Sequence, residues 1–411
     1  MNKLIIAITI STPAAAFAGG YLIPNETARE LATSEAGVAA QDGAEAILLN
    51  VAALAGQQDL NVSLNGELLV NQTDWTDPSM GSSSLVTVPT YPPAGAVSYG
   101  DTLPNGMGWG LGAGMSVAGG ASLKWPNGWP GQEAAQNVEQ QAFEIGLGGA
   151  IQPLPYLKLG AAYLRYHVVE ELHQSINYLD HYGDAGVALS GGGNGFELGA
   201  EFKVPTIPLA FGANYKHSVD VALEGDAHFT AVPTSFQPMI HDQGVTQNMT
   251  IPNILIVGAA YDVIPNLKLM AAYTLERWSV YKNDTLVGSD GFMVVVPRNY
   301  NNASVYRLGA EWQRTPFWNP LTLRAGALLN VSPQPTDTIS PTLTDSDALG
   351  LSIGAGYHAS NRLRFDIGYQ HFFMATVKAS GDAFPGSYSS SADMVSLGLN
   401  WRTDLGFIRS R

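Results

Sequence analysis

One short segment of this chain has the residue types of a hydrolase nucleophile. Gly350-Leu351-Ser352-Ile353-Gly354 fits the Gly-x-Ser-x-Gly pattern, in which a sharp strand-to-helix turn exposes the serine. Here the segment lies within 349–357, where every second residue is apolar, and such alternation indicates a β-strand. Because a serine inside a strand lacks the required turn, we expect Ser352 to be structural and the chain not to be an enzyme.

Two glycine patterns and a group of histidines are the other candidates for chemistry. Segments 108–113 and 354–359 fit the loose dinucleotide-binding pattern, but neither precedes a helix whose N-terminus could hold a pyrophosphate. His167, His173 and His181 lie near several carboxylates, where a metal site is the alternative to a solvated loop. We favour the solvated loop, and we expect no cofactor and no metal.

Charged residues recur on one face of the alternating segments. A ligand carboxylate could pair with a cation on this face, and Lys216, Arg307 and Arg324 are candidates. Alternatively, these charges pair with one another or with the N-terminal segment 19–59. The charged positions are Lys158, Glu197, Glu201, Lys203, Lys216, Arg307, Glu311, Arg324, Arg364 and Asp366.

Alternation of this kind predicts fourteen strands. In 196–204, for example, apolar Phe196, Leu198 and Phe202 share one face, while Glu197 and Glu201 lie on the other. Membrane barrels alternate in this way because one face meets lipid and the other meets the lumen. The predicted strands are 60–70, 94–100, 108–117, 143–152, 157–167, 196–204, 207–216, 254–263, 267–276, 305–313, 321–330, 349–357, 363–373 and 394–402.

The gaps between these strands alternate between long and short. An even-numbered membrane barrel has short periplasmic turns and long external loops, with both termini in the periplasm. The alternative, a soluble β-sandwich or solenoid, does not require this order. The predicted fold is therefore all-β, a transmembrane antiparallel barrel over 60–402 with a C-terminal extension at 403–411.

Composition and the N-terminus agree with an exported membrane barrel. Lys3, the apolar run 4–10 and Ala16-Phe17-Ala18 resemble a signal peptide, so we expect residues 1–18 to be removed. The chain has 45 glycines, 17 tyrosines and no cysteine, and its formal charge of -15 argues against nucleic acid. We expect the outer membrane of a Gram-negative bacterium.

Residues 19–59 do not alternate, and 25–40 and 44–54 are compatible with helices. Because fourteen strands enclose a wide lumen, we predict that this segment is a plug, or hatch. This region resembles the FadL-type outer-membrane transporters, which take up long-chain fatty acids or aromatic hydrocarbons. The resemblance is carried by Gly20-Tyr21, Glu26, Glu35 to Ala39 (including Gly37), Asp42 and Asn50 to Leu54, with weaker similarity at 125–131, 250–261, 275–279 and 332–335.

The resemblance implies a hatch-plugged barrel of fourteen strands whose hydrophobic substrate leaves sideways through a kink in the third strand. Met115, Val117, Gly119 and Gly120 are the candidate kink residues, because glycine permits a bend in a strand. An ordinary strand that ends in a glycine-containing loop is the alternative.

Apolar residues in the predicted external loops are the candidate ligand contacts, since exposed apolar clusters on loops often bind something. Packing of the loops over the barrel mouth is the alternative. Segment 132–143, which ends at Phe143, is predicted as a short helix and a lid. The candidates are Leu123, Trp125, Trp129, Phe143, Phe236, Met239 and Ile240.

These observations favour passive uptake of hydrophobic molecules, with long-chain fatty acids first and aromatic hydrocarbons second. An open aqueous porin or structural barrel is the third hypothesis. The expected partners are outer-membrane lipids, a hydrophobic small molecule such as a fatty acid, and the barrel-assembly machinery, and we expect a monomer.

Overall fold

The computed structural model describes residues 27–315, 318–381 and 384–403. The predicted signal peptide, the hatch residues Tyr21 and Glu26, and the extension from residue 404 lie outside these ranges. None of the described helices combines the length and the apolar character that a membrane span requires.

The described chain contains three short helices before the first strand, and strands form most of the remainder. The helices are α1 (Ala28–Ala32), α2 (Ala46–Leu49) and a 3-10 helix (Val51–Leu54), with a second 3-10 helix at Trp278–Val280. The strands are β1 (Asp59–Asp77), β2 (Gly81–Ser84), β3 (Pro93–Thr102), β4 (Gly108–Lys124), β5 (Asn137–Leu154), β6 (Leu157–Asn177), β7 (Tyr182–Lys203), β8 (Leu209–Lys216), β9 (Val219–Phe229), β10 (Gln243–Ile251), β11 (Ile254–Ile264), β12 (Leu267–Glu276), β13 (Asn283–Gly288), β14 (Met293–Pro297), β15 (Ala303–Trp312), β16 (Leu321–Val331), β17 (Ala348–His358), β18 (Leu363–Met374), β19 (Val377–Ala379) and β20 (Gly386–Thr403).

The strands form one closed antiparallel barrel. Strands β2, β13, β14 and β19 are short external additions, and β8–β9 and β10–β11 are each two parts of one wall strand, which leaves fourteen. The barrel closes because β1 pairs with β20 from Leu60 opposite Thr403 to Thr76 opposite Ser387. The predicted fourteen-stranded barrel is confirmed.

The two faces of the wall differ as the alternation predicts. On β16, Leu323 is exposed on the outer face, whereas Arg324 is buried in the lumen. On β12, Leu269 is exposed and its neighbour Met270 is buried. Lipid solvates the outward apolar side chains of such a barrel, so their exposure to the surroundings stabilises the membrane-inserted state.

The external connections are shorter than the sequence predicted. A loop of 28 residues was expected between the fifth and sixth strands, but β6 and β7 continue to Asn177 and Tyr182 and pair there. The prediction of a helix over 132–143 is wrong, because β5 begins at Asn137 and pairs with β4 and β6. Cross-strand hydrogen bonds determine these extensions, and the polar outer side chains hide them from an apolar pattern.

The hatch, described here from residue 27 to residue 58, lies inside the barrel. Its helices are much shorter than the two stretches that the sequence predicted. Glycines on the inner wall let it approach closely: a Cβ on Gly110 would overlap the carbonyl of Leu54, and one on Gly354 would overlap Ala32.

Candidate functional site

Aromatic residues of the external loops pack on one another above the barrel. Trp125 and Trp129 stack with ring centroids 4.2 Å apart, and Trp75 meets Trp129 edge-on at 5.8 Å. The indoles also donate hydrogen bonds, from Trp129 Nε1 to the Ala135 carbonyl oxygen at 2.7 Å and from Trp125 Nε1 to that of Pro341 at 3.1 Å. These loops form a packed cap over the lumen.

Most of the loop residues that were predicted to contact a ligand are therefore buried, and one is exposed. Leu123, Trp125 and Trp129 are all buried in the cap, and no more than 3% of any of them is exposed. Ile240 is buried in a second apolar cluster, with Phe236 packed against it, whereas Met239 is 66% exposed.

A cavity of about 100 Å³, the lumen cavity, lies between the hatch and the inner wall. Apolar side chains form much of its lining, together with five glutamates and two cationic residues among the described residues. The apolar residues include Leu48, Leu49, Ile251, Ile254, Ile256, Val305, Leu328 and Phe372, the glutamates are Glu30, Glu35, Glu45, Glu144 and Glu276, and the cations are Lys216 and Arg307.

Both cations of the lumen cavity already have acidic partners. Lys216 Nζ donates to Glu144 Oε1 at 2.8 Å, and Arg307 contacts Glu35 Oε2 at 2.7 Å. The third predicted cation, Arg324, does not line this cavity. It forms ion pairs with Glu311 and Asp366 at 2.7 Å each. A ligand carboxylate would have to displace Glu144 or Glu35 from these cations.

The third barrel strand, β4, changes its pairing where the sequence predicted a kink. Its register against β5 shifts between Val117 and Gly119, which is a β-bulge. On its other side β4 pairs with β3 as far as Met115, and the next backbone hydrogen bond on this side joins Val86 N to the Lys124 carbonyl oxygen.

A second cavity of about 300 Å³, the wall cleft, occupies this interruption. It is lined from the lumen side by Leu69, Asn71 and Gln140, and from the outer side by Phe143 and Gln141. The remaining lining residues are Val88, Thr90, Tyr91, Pro92, Pro93, Val117, Gly120 and Ser122. The cleft therefore passes between the two faces of the wall.

Two consecutive residues of the bulge line different cavities. Ala118 lines the lumen cavity, and Val117 lines the wall cleft. Of the predicted kink residues, Val117 and Gly120 line the cleft and Gly119 ends the register shift, while Met115 points outward below it.

The described hatch residues from the sequence prediction all make packing or polar contacts. Asn50 Nδ2 donates to the Val38 carbonyl oxygen at 2.7 Å, and Asp42 pairs with Arg29 at 2.5 Å. Leu54 is buried against the wall, and a Cβ on Gly37 would press on Gln41 at 2.9 Å. These contacts hold the hatch in place next to the lumen cavity.

The candidate nucleophile Ser352 and the candidate metal ligand His181 both make contacts with other parts of the protein. Ser352 Oγ lies 2.8 Å from Ser34 Oγ of the hatch, so it helps to hold the hatch. His181, in an external loop, contacts the Ala231 carbonyl oxygen and Asp180, which raise the pKa of its imidazole. Within the described ranges, no group of three or more histidine and acidic side chains is placed to hold a metal.

The sequence did not single out several lining residues. Asn71 and Thr90 of the wall cleft lie outside the predicted strands, and the hydrogen-bonding atoms of their side chains lack partners among the described residues. Glu30 of the lumen cavity gave no signal beyond its charge, and Glu276 was noted only as part of the segment 275–279 that resembles the family. Alternation within one strand cannot reveal which residues face a cavity formed by several elements.

Comparisons with known proteins agree with this architecture. The model of the family described as outer membrane protein transport protein (OMPP1/FadL/TodX) matches residues 8–403. The putative outer membrane protein NMB0088 of Neisseria meningitidis serogroup B is 27% identical over 205 residues, which cover 44% of this chain and 43% of that protein. The matched region thus spans less than half the length of the curated relatives.

Solved structures share the fold at low sequence identity. A Pseudomonas aeruginosa FadL homologue superposes with a TM-score of 0.82 at 16% identity, over 94% of this chain and 100% of that one. The P. putida toluene transporter TodX gives a TM-score of 0.73 at 17% identity, over 91% and 98%. The resemblance that the N-terminal residues indicated is confirmed: this chain belongs to the OMPP1/FadL/TodX family of outer membrane transport proteins.

Proposed function

We propose that this protein takes up compact hydrophobic molecules from outside the cell and releases them sideways into the outer membrane. The observation that carries the proposal is that consecutive residues of the bulge, Ala118 and Val117, line the lumen cavity and the wall cleft respectively. In this path the cargo enters when the cap loops separate, pauses above the hatch and leaves past the bulge in β4. Uptake is passive.

Burial of apolar surface supplies the affinity. Removing apolar surface from water contributes about 25 cal/mol per Å², or about 0.8 kcal/mol for each methylene group. The apolar side of the lumen cavity, including Ile256, Leu328 and Phe372, provides such surroundings. The exit is favourable because lipid solvates the same apolar surface, so the cargo never has to return to water.

The size of the lumen cavity favours a compact cargo. Its volume of about 100 Å³ is smaller than the engineered cavity of about 150 Å³ that binds benzene. A ring with a short substituent therefore needs a small expansion, and a long acyl chain needs a much larger one. Two structural relatives, a toluene transporter and a monoaromatic hydrocarbon channel, carry cargo of this size.

A long-chain fatty acid is the second candidate. Lys216 and Arg307 both line the lumen cavity, and either could receive a carboxylate. Binding would require the cation to leave Glu144 or Glu35, and the chain would have to extend into the wall cleft. These two requirements place the fatty acid behind the compact cargo.

Filling the wall cleft tests the exit. In Gln141→Trp the new ring enters the cleft from the outer face, so we expect uptake of radiolabelled toluene to fall at least fivefold in cells that rely on this protein. Glu139→Trp is the matched control, because Glu139 is exposed on the same strand and does not line the cleft. Equal uptake by the two variants and the parent would rule out the cleft as the exit.

A further inference from the structure

Two glutamates of the lumen cavity have no cationic side chain within ion-pair distance among the described residues. Glu30 Oε1 accepts from Gln41 Nε2 at 2.7 Å, while its Oε2 has no hydrogen-bond partner in the described chain. Glu276 Oε2 accepts from the indole of Trp278 at 2.9 Å. Glu30 and Glu276 are 4% and 6% exposed and line the same cavity.

The other three glutamates of the cavity differ from this pair. Glu35 and Glu144 have the cations described above, and Glu45 Oε2 lies 3.7 Å from the guanidinium of Arg364. Glu30 and Glu276 are therefore the two glutamates of the cavity that lack an ion-pair partner among the described residues.

A buried carboxylate without a counter-charge costs several kcal/mol of solvation, so it takes up either a proton or a cation. The other residues that line the cavity determine which kind of cation is favoured. Ile251, Ile254 and Ile256 line the same cavity, and Ile254 pairs with Glu276 across neighbouring strands. Their apolar surface is unfavourable for a hydrated inorganic ion and favourable for a carbon skeleton.

We infer that the preferred cargo is a hydrophobic amine: a compact apolar body that carries one ammonium group. The ammonium pairs with Glu30 and Glu276, and the body packs against Leu328, Val305 and Phe372. This inference rests on the proposed function, because it names the charge of the cargo that the same cavity receives.

The charge of the whole protein acts in the same direction. Its formal net charge is -15, and an acidic surface raises the local concentration of cations and lowers that of carboxylates. A cationic amphiphile therefore encounters the protein more often than a fatty acid of the same size does.

Three probes of equal shape and different charge test the inference: 2-phenylethylamine, 2-phenylethanol and phenylacetate. We expect the detergent-purified full chain to bind the amine at least tenfold more tightly than the alcohol at pH 7.5, and the acid most weakly. Glu30→Gln and Glu276→Gln should each reduce this preference, and together they should bring it below twofold. Glu139→Gln, which removes an exposed charge outside the cavity, should retain it.

Binding of 2-phenylethanol distinguishes a failure of the amine preference from a failure of the proposed function. Unchanged binding of 2-phenylethanol by the glutamine variants shows that the cavity is intact and that the carboxylates act on the ammonium. If the parent binds amine and alcohol equally, the preference for an amine is overturned and the proposed function stands. If none of the three probes binds, the proposed function itself fails.

Discussion

Glu311 connects the hatch to the barrel wall through two guanidinium groups. Its carboxylate accepts from Arg29 of the hatch at 3.0 Å and from Arg324 of the wall at 2.7 Å, and all three side chains are buried. Removing one partner from a buried ion pair leaves a charge that neither water nor protein compensates. We therefore expect the loss of Glu311 to weaken hatch docking.

Glu311→Gln should weaken hatch docking by about 3–5 kcal/mol, because two cations would then face a neutral amide. We expect brief openings with measurable ion conductance in planar bilayers, where the parent is nearly silent. Glu139→Gln removes an exposed glutamate and serves as the control. Recordings from Glu311→Gln that match those of the parent would contradict the role of this contact.

At the residue scale, the sequence predicted which way side chains point and failed to predict what they meet. The alternation placed Glu311 and Arg324 correctly in the lumen, but Arg29 lies 282 residues from Glu311 in the chain. Trp125 and Trp129 were candidate ligand contacts because loops were assumed to expose them, whereas in the structure they bury each other.

At the scale of elements, glycines on the inner wall make room for the hatch. The Cβ of any side chain at Gly110 would overlap the carbonyl group of Leu54, which belongs to the 3-10 helix of the hatch. Backbone cannot yield in the way that a flexible side chain does. The hatch and the third barrel strand are thus fitted to each other.

Gly110→Val should displace the hatch without preventing barrel formation, because valine is favourable in a strand. We expect higher conductance in planar bilayers and faster protease cleavage between residues 27 and 58. Gly66→Val is the matched control, since a Cβ at Gly66 meets nothing within 4 Å. Normal conductance and protease resistance in Gly110→Val would show that the hatch does not need this glycine.

The sequence predicted the membrane part of each strand better than its external part. Within the membrane, lipid and lumen impose an apolar and polar alternation, and all fourteen strands were found from it. Beyond the membrane the outer faces of β5, β6 and β7 carry polar side chains such as Glu171, and the buried inner faces mix apolar Leu172 with polar Glu170. The apolar and polar alternation is therefore weaker there, although the hydrogen-bonded pairing continues to residues such as Asn177. The same loss of pattern produced the false helix at 132–143.

At the scale of the whole molecule, cap, hatch and wall enclose the lumen cavity and leave the wall cleft beside it. The period-two alternation and the order of long and short gaps predicted the barrel, and the segment 19–59, which does not alternate, predicted the hatch. The cleft was not predictable to the same degree, because it depends on a register shift at Val117 and Gly119 and on the chain between β1 and β3. The wall cleft is formed by several strands together, so the sequence of any one strand does not reveal it.

The central claim is that cargo moves from the lumen cavity into the wall cleft. Crystals of the protein grown with 4-bromotoluene test it most directly, because the anomalous signal of bromine locates the ligand without assumptions about its pose. We expect bromine peaks in the lumen cavity near Phe372 and in the wall cleft near Phe143, with the cleft peak absent in Gln141→Trp. Bromine found instead on the periplasmic side of the hatch, beside Asp42, would contradict lateral release.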